Sequence, residues 1–206
     1  MGKFNPTYIV FADGSYRQVN DVSYAACGVV IMNPSTGKYA EFGEMTGGSV
    51  VFAEGWGVYR GLQKALEIAN GKFVDILVMT DSRMTVQVLN VFLPYMWKER
   101  DDILYTAQGT PVKNQWLYKK IRYLIRSHPE ADIRIRHMKG HMAKDGSGEE
   151  ELTRWLIEDS LINAQGRTAK IFIRMNDRAD KIARDLTKKA KKEGAKDGFL
   201  RIRRRY

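Results

Sequence analysis

Residues 8–13 form an apolar run, rich in β-branched and aromatic side chains, that closes on Asp13-Gly14-Ser15, a pattern that predicts a strand stopped by a turn. Residues 17–23 are polar and read as a loop, whereas 25–33 are almost wholly apolar, as a central strand requires. Asn33-Pro34-Ser35-Thr36-Gly37 is dense in turn formers, and an extended pattern resumes over 38–46. Three consecutive antiparallel strands are expected. From 52 to 69 the rhythm changes: Phe52, Trp56, Tyr59, Leu62, Leu66 and Ala69 step by three and four, the spacing of one helical face, and Asn70-Gly71 supplies a stop. Glu54 is expected in the first turn of this helix.

Residues 73–80 read as a buried strand that ends on Asp81-Ser82, and 82–97 carry a helical pattern interrupted by Pro94. A strand, a crossover helix and a second strand make a parallel unit beside the antiparallel three. Residues 98–110 are polar and mixed in charge, 115–127 form an amphipathic helix, and 131–138 alternate Ile133, Ile135 and Met138 with Arg134 and Arg136 as a half-exposed fifth strand. Beyond Lys139-Gly140-His141 the pattern loosens. Residues 143–148 are loop-like, 149–163 can form a helix through Leu152, Trp155, Leu156 and Leu161, and 169–173 read as extended. A last helix is expected from Asn176, with Ala179, Ile182, Ala183, Leu186 and Ala190 on one face and Asp180 one turn in.

At 206 residues and 44% hydrophobic content, this is one domain with a sizeable core and short appendages. The single cysteine, Cys27, sits inside an apolar run, so it is expected in the core, and no intrachain disulfide or Cys-based zinc site is available. No run is long enough to span a bilayer and no signal segment opens the chain, so a soluble, cytoplasmic, monomeric protein with no membrane partner is expected. The formal charge is +10, but eleven Lys and Arg against three acids put +8 of it in residues 181–206. The body is nearly neutral, and the basic tail is suited to phosphates.

Asp13 and Asp81 close two strands expected to be parallel, so they emerge at the same end of the sheet. Glu54 and Asp180 lie on helices that can face them. Converging acids repel unless protons or cations neutralise them. All-oxygen ligation suits hard ions such as Mg²⁺ or Mn²⁺. Two ions roughly 3.5–4 Å apart suit in-line displacement at a phosphodiester.

Five segments in this order carry a family resemblance: Phe11-Ala12-Asp13-Gly14-Ser15, Glu54 on the first helix, Met79-Thr80-Asp81-Ser82, Lys139-Gly140-His141, and Asn176-Asp177-Arg178-Ala179-Asp180. The chain resembles a type 1 ribonuclease H over about residues 8–141 and 175–190, and Pro111-Val112-Lys113-Asn114 is similar to bacterial members. The resemblance implies an α/β ribonuclease H-like fold: a five-stranded mixed sheet, strands one to three antiparallel and the last two parallel to the first, flanked by helices. It implies an endoribonuclease that cuts the RNA strand of RNA–DNA hybrids with two Mg²⁺ or Mn²⁺ ions, leaving a 3′-hydroxyl and a 5′-phosphate. The ligating carboxylates would be Asp13, Glu54, Asp81 and Asp180, the later aspartate of its motif rather than Asp177, and His141 would assist proton movement or product departure. Gly14, Ser15, Ser82 and Asn176 are the expected contacts to the RNA strand, and Ser49, Lys113 and Asn114 the expected sugar or phosphate contacts.

Three departures from the family stand out. Val50, Val51 and Phe52 occupy places where Asn or Gln usually precedes the helical Glu. The basic handle of bacterial members is replaced by Trp97-Lys98-Glu99-Arg100-Asp101-Asp102, with more acids than bases. His141 and Asp180 are 39 positions apart, several times the family spacing, so an insertion over about 143–175 precedes the last helix. It is expected to pack away from substrate, or to act as a lid or a docking site for a replication partner. The division is then a catalytic domain over 1–190 and a basic tail over 191–206. Two other classes compete: a nuclease of the same fold acting on DNA or junctions, and a non-catalytic hybrid-binding module.

Overall fold

The first strand runs six residues past Asp13. In the computed structural model, which describes residues 4–140, 150, 152–154 and 166–197, β1 (Tyr8–Val19) pairs antiparallel with β2 (Val22–Met32) along its whole length. The turn between them is two residues, Asn20 (φ 47°) and Asp21 (φ 62°), both left-handed. Such a turn matches the right-handed twist of the strands, and Asn and Asp tolerate it better than most side chains. The expected loop over 17–23 is therefore the tip of a hairpin. Asp13 sits mid-strand opposite Gly28 rather than at a strand end.

β3 (Tyr39–Met45) adds antiparallel to β2. α1 (Val50–Ala69) starts on Ser49, whose hydroxyl accepts from the Phe52 amide at 3.3 Å, and stops on left-handed Asn70 (φ 52°). Glu54 thus lies in the second turn, not the first. β4 (Val74–Thr80) pairs parallel with β1. α2 (Arg83–Gln87) widens into a π-helical stretch, Val88–Met96, that contains Pro94 and closes with the Trp97 amide donating to the Phe92 carbonyl at 2.7 Å. β5 (Lys98–Arg100) and β6 (Ile103–Tyr105) make a small hairpin over Asp101 and Asp102, again with left-handed φ. α3 (Gln115–Arg126) then leads into β7 (Ala131–His137), parallel to β4. The sheet order is β3-β2-β1-β4-β7, the mixed five-stranded sheet that the sequence implies.

Two acids of the β5–β6 hairpin are paired from within. Lys119 on α3 approaches Glu99 at 2.7 Å and Asp102 at 2.8 Å, and Arg122 approaches Glu99 at 2.5 Å. Where the sequence suggests a surplus of negative charge, the structure has a strap tied to α3.

α4 (Gly166–Asp197) differs most from expectation. It is one helix of 32 residues that begins ten before Asn176, so the expected extended segment 169–173 is helical and Asp180 is well inside the helix. Residues 169–175 supply Ala169, Phe172, Ile173 and Met175 to the core, where the Phe172 ring meets Phe11 edge-on at 5.4 Å, and Leu152 joins the same cluster. The part of the insertion that the structure describes thus contributes one face to the core. The rest of it, with His141 and residues 198–206 of the tail, lies outside the described residues.

Period-two alternation divides the sheet into two apolar layers. Ile9, Phe11, Leu77 and Met79 face α4, whereas Val10, Ala12, Ile76 and Val78 face α1 and α3. Cys27 is fully buried, as expected, and burial pushes its thiol up to about 12. Trp116 is 46% exposed and stands in an aromatic group with Phe52 and Trp56. Among the described residues no helix is long and apolar enough to cross a membrane.

Candidate active site

The alternation that builds the two layers also aims the acids. Phe11 pairs with Met79 across the parallel β1–β4 ladder, and both face α4. Asp13 and Asp81 lie two residues beyond them, so both carboxylates emerge on the α4 side at the same end of neighbouring strands. Gly14, one residue on, faces the opposite way, towards α1. A Cβ there would stand 2.7 Å from the Glu54 Cγ and 2.7 Å from its backbone nitrogen, so only glycine lets α1 bring Glu54 this close to β1.

α4 is seated by a second glycine. A Cβ on Gly28 would lie 2.0 Å from the Ala179 carbonyl oxygen, so the helix touches β2 opposite Asp13 and carries Asp180 to the same place. Ser15 and Thr187 share a hydrogen bond at 3.1 Å on the same face, which fixes the helix along β1. At the other rim a Cβ on Gly140 would approach the Asp81 Oδ2 at 2.5 Å.

These placements couple the four carboxylates. Asp13 is buried, and its carboxyl is pushed up to about 8, first by desolvation and then by the charges of Asp81, Asp180 and Glu54, against a lowering contact from the Gly14 amide. Glu54 is also raised, chiefly by burial and further by Asp81, while a hydrogen bond from Ser82 opposes the rise. His137, paired with Thr80 across the β4–β7 ladder, is lowered by burial and by Arg83, with Asp81 opposing.

Each carboxylate also has a protein partner. The Gly14 amide donates to Asp13 Oδ1 at 2.6 Å, the Ser82 hydroxyl donates to Glu54 Oε2, and Arg184 Nη2 meets Asp180 Oδ2 at 2.7 Å. Asp81 is engaged as well. So held, the acids do not form a ready cage: among the described residues no three of His, Cys, Asp and Glu stand in ion-holding geometry. The donor set is nevertheless all carboxylate oxygen, and its mutual repulsion falls on the buried Asp13. That chemistry fits hard divalent cations.

A family model described as RNase H matches residues 5–153. The chain belongs to the RNase H family. The family supports an RNase H-type nuclease, and the match ends before α4, the helix that brings Asp180. No curated protein matches the chain. Among solved structures, the RNase H domain of PFV is similar at 24% identity and a TM-score of 0.63, over 89% of this chain and 96% of that one. The N-terminal RNase H domain of a Mycobacterium tuberculosis protein, solved as a fusion with maltose-binding protein, matches at 18% identity and 0.57, over 92% and 99%. The foamy viral protease–reverse transcriptase in complex with an RNA/DNA hybrid matches at 18% and 0.60, over 88% of this chain and 20% of that one. This chain also spans only 21% of the native prototype foamy virus protease–reverse transcriptase that it matches. At these identities the likeness is one of fold.

Of the residues the sequence singles out in this RNase H chain, Asp13, Glu54, Asp81 and Asp180 are brought together. Ser15 and Ser82 stand beside them, but the Ser15 hydroxyl is bonded to Thr187, and the Ser82 hydroxyl caps the Thr85 amide besides holding Glu54. Asn176 is buried on α4, and its Oδ1 has no hydrogen-bond partner among the described residues. Ser49 caps α1. Lys113 is exposed, and Asn114 is left-handed (φ 57°) with no side-chain capping bond at the start of α3. Sequence reasoning misses Thr187, Arg184 and the role of Ser82. Arg184 has a legible signal, since it stands four residues after Asp180 in a helical pattern.

Proposed function

We propose that this chain is a metal-dependent endoribonuclease that hydrolyses the RNA strand of RNA–DNA hybrids, leaving a 3′-hydroxyl and a 5′-phosphate. The observation that carries the reading is the coupling of Asp13 to Asp81, Asp180 and Glu54, acids from four separate elements. A fold has no use for converging carboxylates that destabilise it, whereas hydrolysis at a phosphodiester does. The RNase H family and a fold shared with a reverse transcriptase seen on an RNA/DNA hybrid support the choice of substrate.

Asp13, Glu54, Asp81 and Asp180 would hold two Mg²⁺ or Mn²⁺ ions. When bound, such ions supply Lewis acidity and lower the pKa of a coordinated water. The chain's own residues prepare the rest. With its carboxyl pushed up to about 8, Asp13 holds its proton at neutral pH, so holding an ion there would require that proton to leave and would be favoured as pH rises. Ser82 fixes the orientation of Glu54, and Gly14 leaves room beside it. Lys113 and the uncapped side chain of Asn114 are open to a phosphate or sugar at the start of α3, where backbone amides favour an anion. Gly14, Ser15, Ser82 and Asn176 would face the RNA strand, and His141 would carry protons or help product leave.

The test is a panel of end-labelled substrates in Mg²⁺: RNA–DNA hybrid, duplex RNA, duplex DNA and a branched junction. The reading predicts cuts in the RNA strand of the hybrid alone. Cutting of DNA or junctions with the hybrid spared gives the other nuclease reading, and tight hybrid binding without cleavage gives the binding module.

A further inference from the structure

Arg184 is a cation that the structure sets against one of the four acids, and its surroundings distinguish it from a routine surface pair. Its Nη2 lies 2.7 Å from Asp180 Oδ2, and the Asp180 side chain is only 15% exposed while that of Arg184 is 44% exposed. Two other pairs along α4, Lys188–Asp185 at 3.9 Å and Lys189–Glu193 at 3.8 Å, are longer and more than half exposed on both sides. The backbone of Arg184 is pinned: its carbonyl accepts the Thr187 hydroxyl at 3.0 Å, and Thr187 is bonded to Ser15 on β1, two residues from Asp13. The residue therefore has a fixed root beside the acids and a long side chain ending at their solvent rim.

A guanidinium so placed has two uses for one charge. With no cation present it offsets Asp180 within a cluster of mutually repelling carboxylates. Once a divalent cation takes that carboxylate, like charges repel and the planar guanidinium is free for another anion, for which a phosphate offers paired acceptor oxygens. Resting on the reading that the four carboxylates hold divalent ions, we propose that Arg184 is a positioning residue that holds Asp180 in the ion-free protein, competes with divalent ions for it, and then passes to a phosphate of the bound hybrid.

The test uses the full chain with Arg184→Ala, Arg184→Gln and Arg184→Lys, and three readouts: melting in EDTA, Mg²⁺ and Mn²⁺ affinity by calorimetric titration, and KM and kcat on a labelled hybrid. Neutral variants are expected to melt lower in EDTA, to bind Mg²⁺ roughly twofold to fivefold more tightly, as loss of a partly exposed competing ion pair allows, and to raise KM by a similar factor with kcat within about twofold. Arg184→Lys should fall between them and the wild type. Tighter ion binding with weaker hybrid binding is a pairing that general damage to the fold does not produce. Unchanged ion affinity in all three variants overturns the competition, and unchanged KM overturns the transfer to phosphate. If the wild type itself takes up no divalent ion, the carboxylate-site reading fails, and this inference fails with it.

Discussion

Replacing Asp13 by Asn should stabilise the metal-free protein at neutral and alkaline pH. Burial and the neighbouring acids push the carboxyl up to about 8 in the folded protein, against an ordinary value of 3.8. The folded form therefore keeps a proton that the unfolded chain gives up, and stability is fullest below about pH 4 and declines as pH rises towards 8. At about 1.4 kcal/mol per tenfold in proton affinity, that difference is on the order of 6 kcal/mol once Asp13 is fully ionised. Only part of it returns on mutation, because the neighbouring acids remain and the Asn amide must find its own partners. A gain of about 1–3 kcal/mol at pH 8, or roughly 3–10 °C in melting temperature for a chain of this size, is expected. The assay is thermal melting in EDTA from pH 4 to pH 9, with both proteins at equal ionic strength. The gap should open as pH rises and close near pH 4, and Mg²⁺ should raise the wild type more than the variant. A gap of the same size at every pH, or none, would refute the account of Asp13.

Two further perturbations probe the frame. Ser82→Ala removes the α2 cap, worth about 1 kcal/mol, and the hydrogen bond that opposes the upward shift of Glu54. The acid limb of the pH–rate profile should therefore move to higher pH, with a larger loss at pH 6 than at pH 8. Gly28→Ala drives a Cβ against the Ala179 carbonyl, a backbone contact that no rotamer relieves. It should cost about 1–3 kcal/mol or more, read by urea unfolding, and hybrid cleavage should fall more than stability because Asp180 is displaced.

Much of this fold is legible because the chain keeps clear rhythms. The buried strands 25–33 and 73–80, the 3.6-residue face of α1 and its Asn70-Gly71 stop all lie where periodicity puts them. The hairpin at Asn20-Asp21 is missed because Gly14 reads as a breaker and the turn lacks a glycine, although both turn residues accept a left-handed backbone. The first half of α4 is missed for another reason. Ile171-Phe172-Ile173 is a short apolar run in which β-branched residues suggest a strand, and only packing against Phe11 on β1 shows it to be a helix face. Glu54 could be found from its helix and Asp180 from its motif, but no local pattern reveals that two glycines, one on each face of the hairpin, set the distance at which those helices approach Asp13.

Whether an aspartate on α4 completes a hybrid-cutting site built on β1 and β4 is decided by the single-turnover cleavage rate of a labelled RNA–DNA hybrid in Mg²⁺ by wild type and Asp180→Asn. The predicted result is RNA-strand cleavage by the wild type and a loss of roughly 100-fold or more in the variant, the scale of several kcal/mol of transition-state charge stabilisation, with the variant melting no lower in EDTA. Equal cleavage by the two proteins would contradict it.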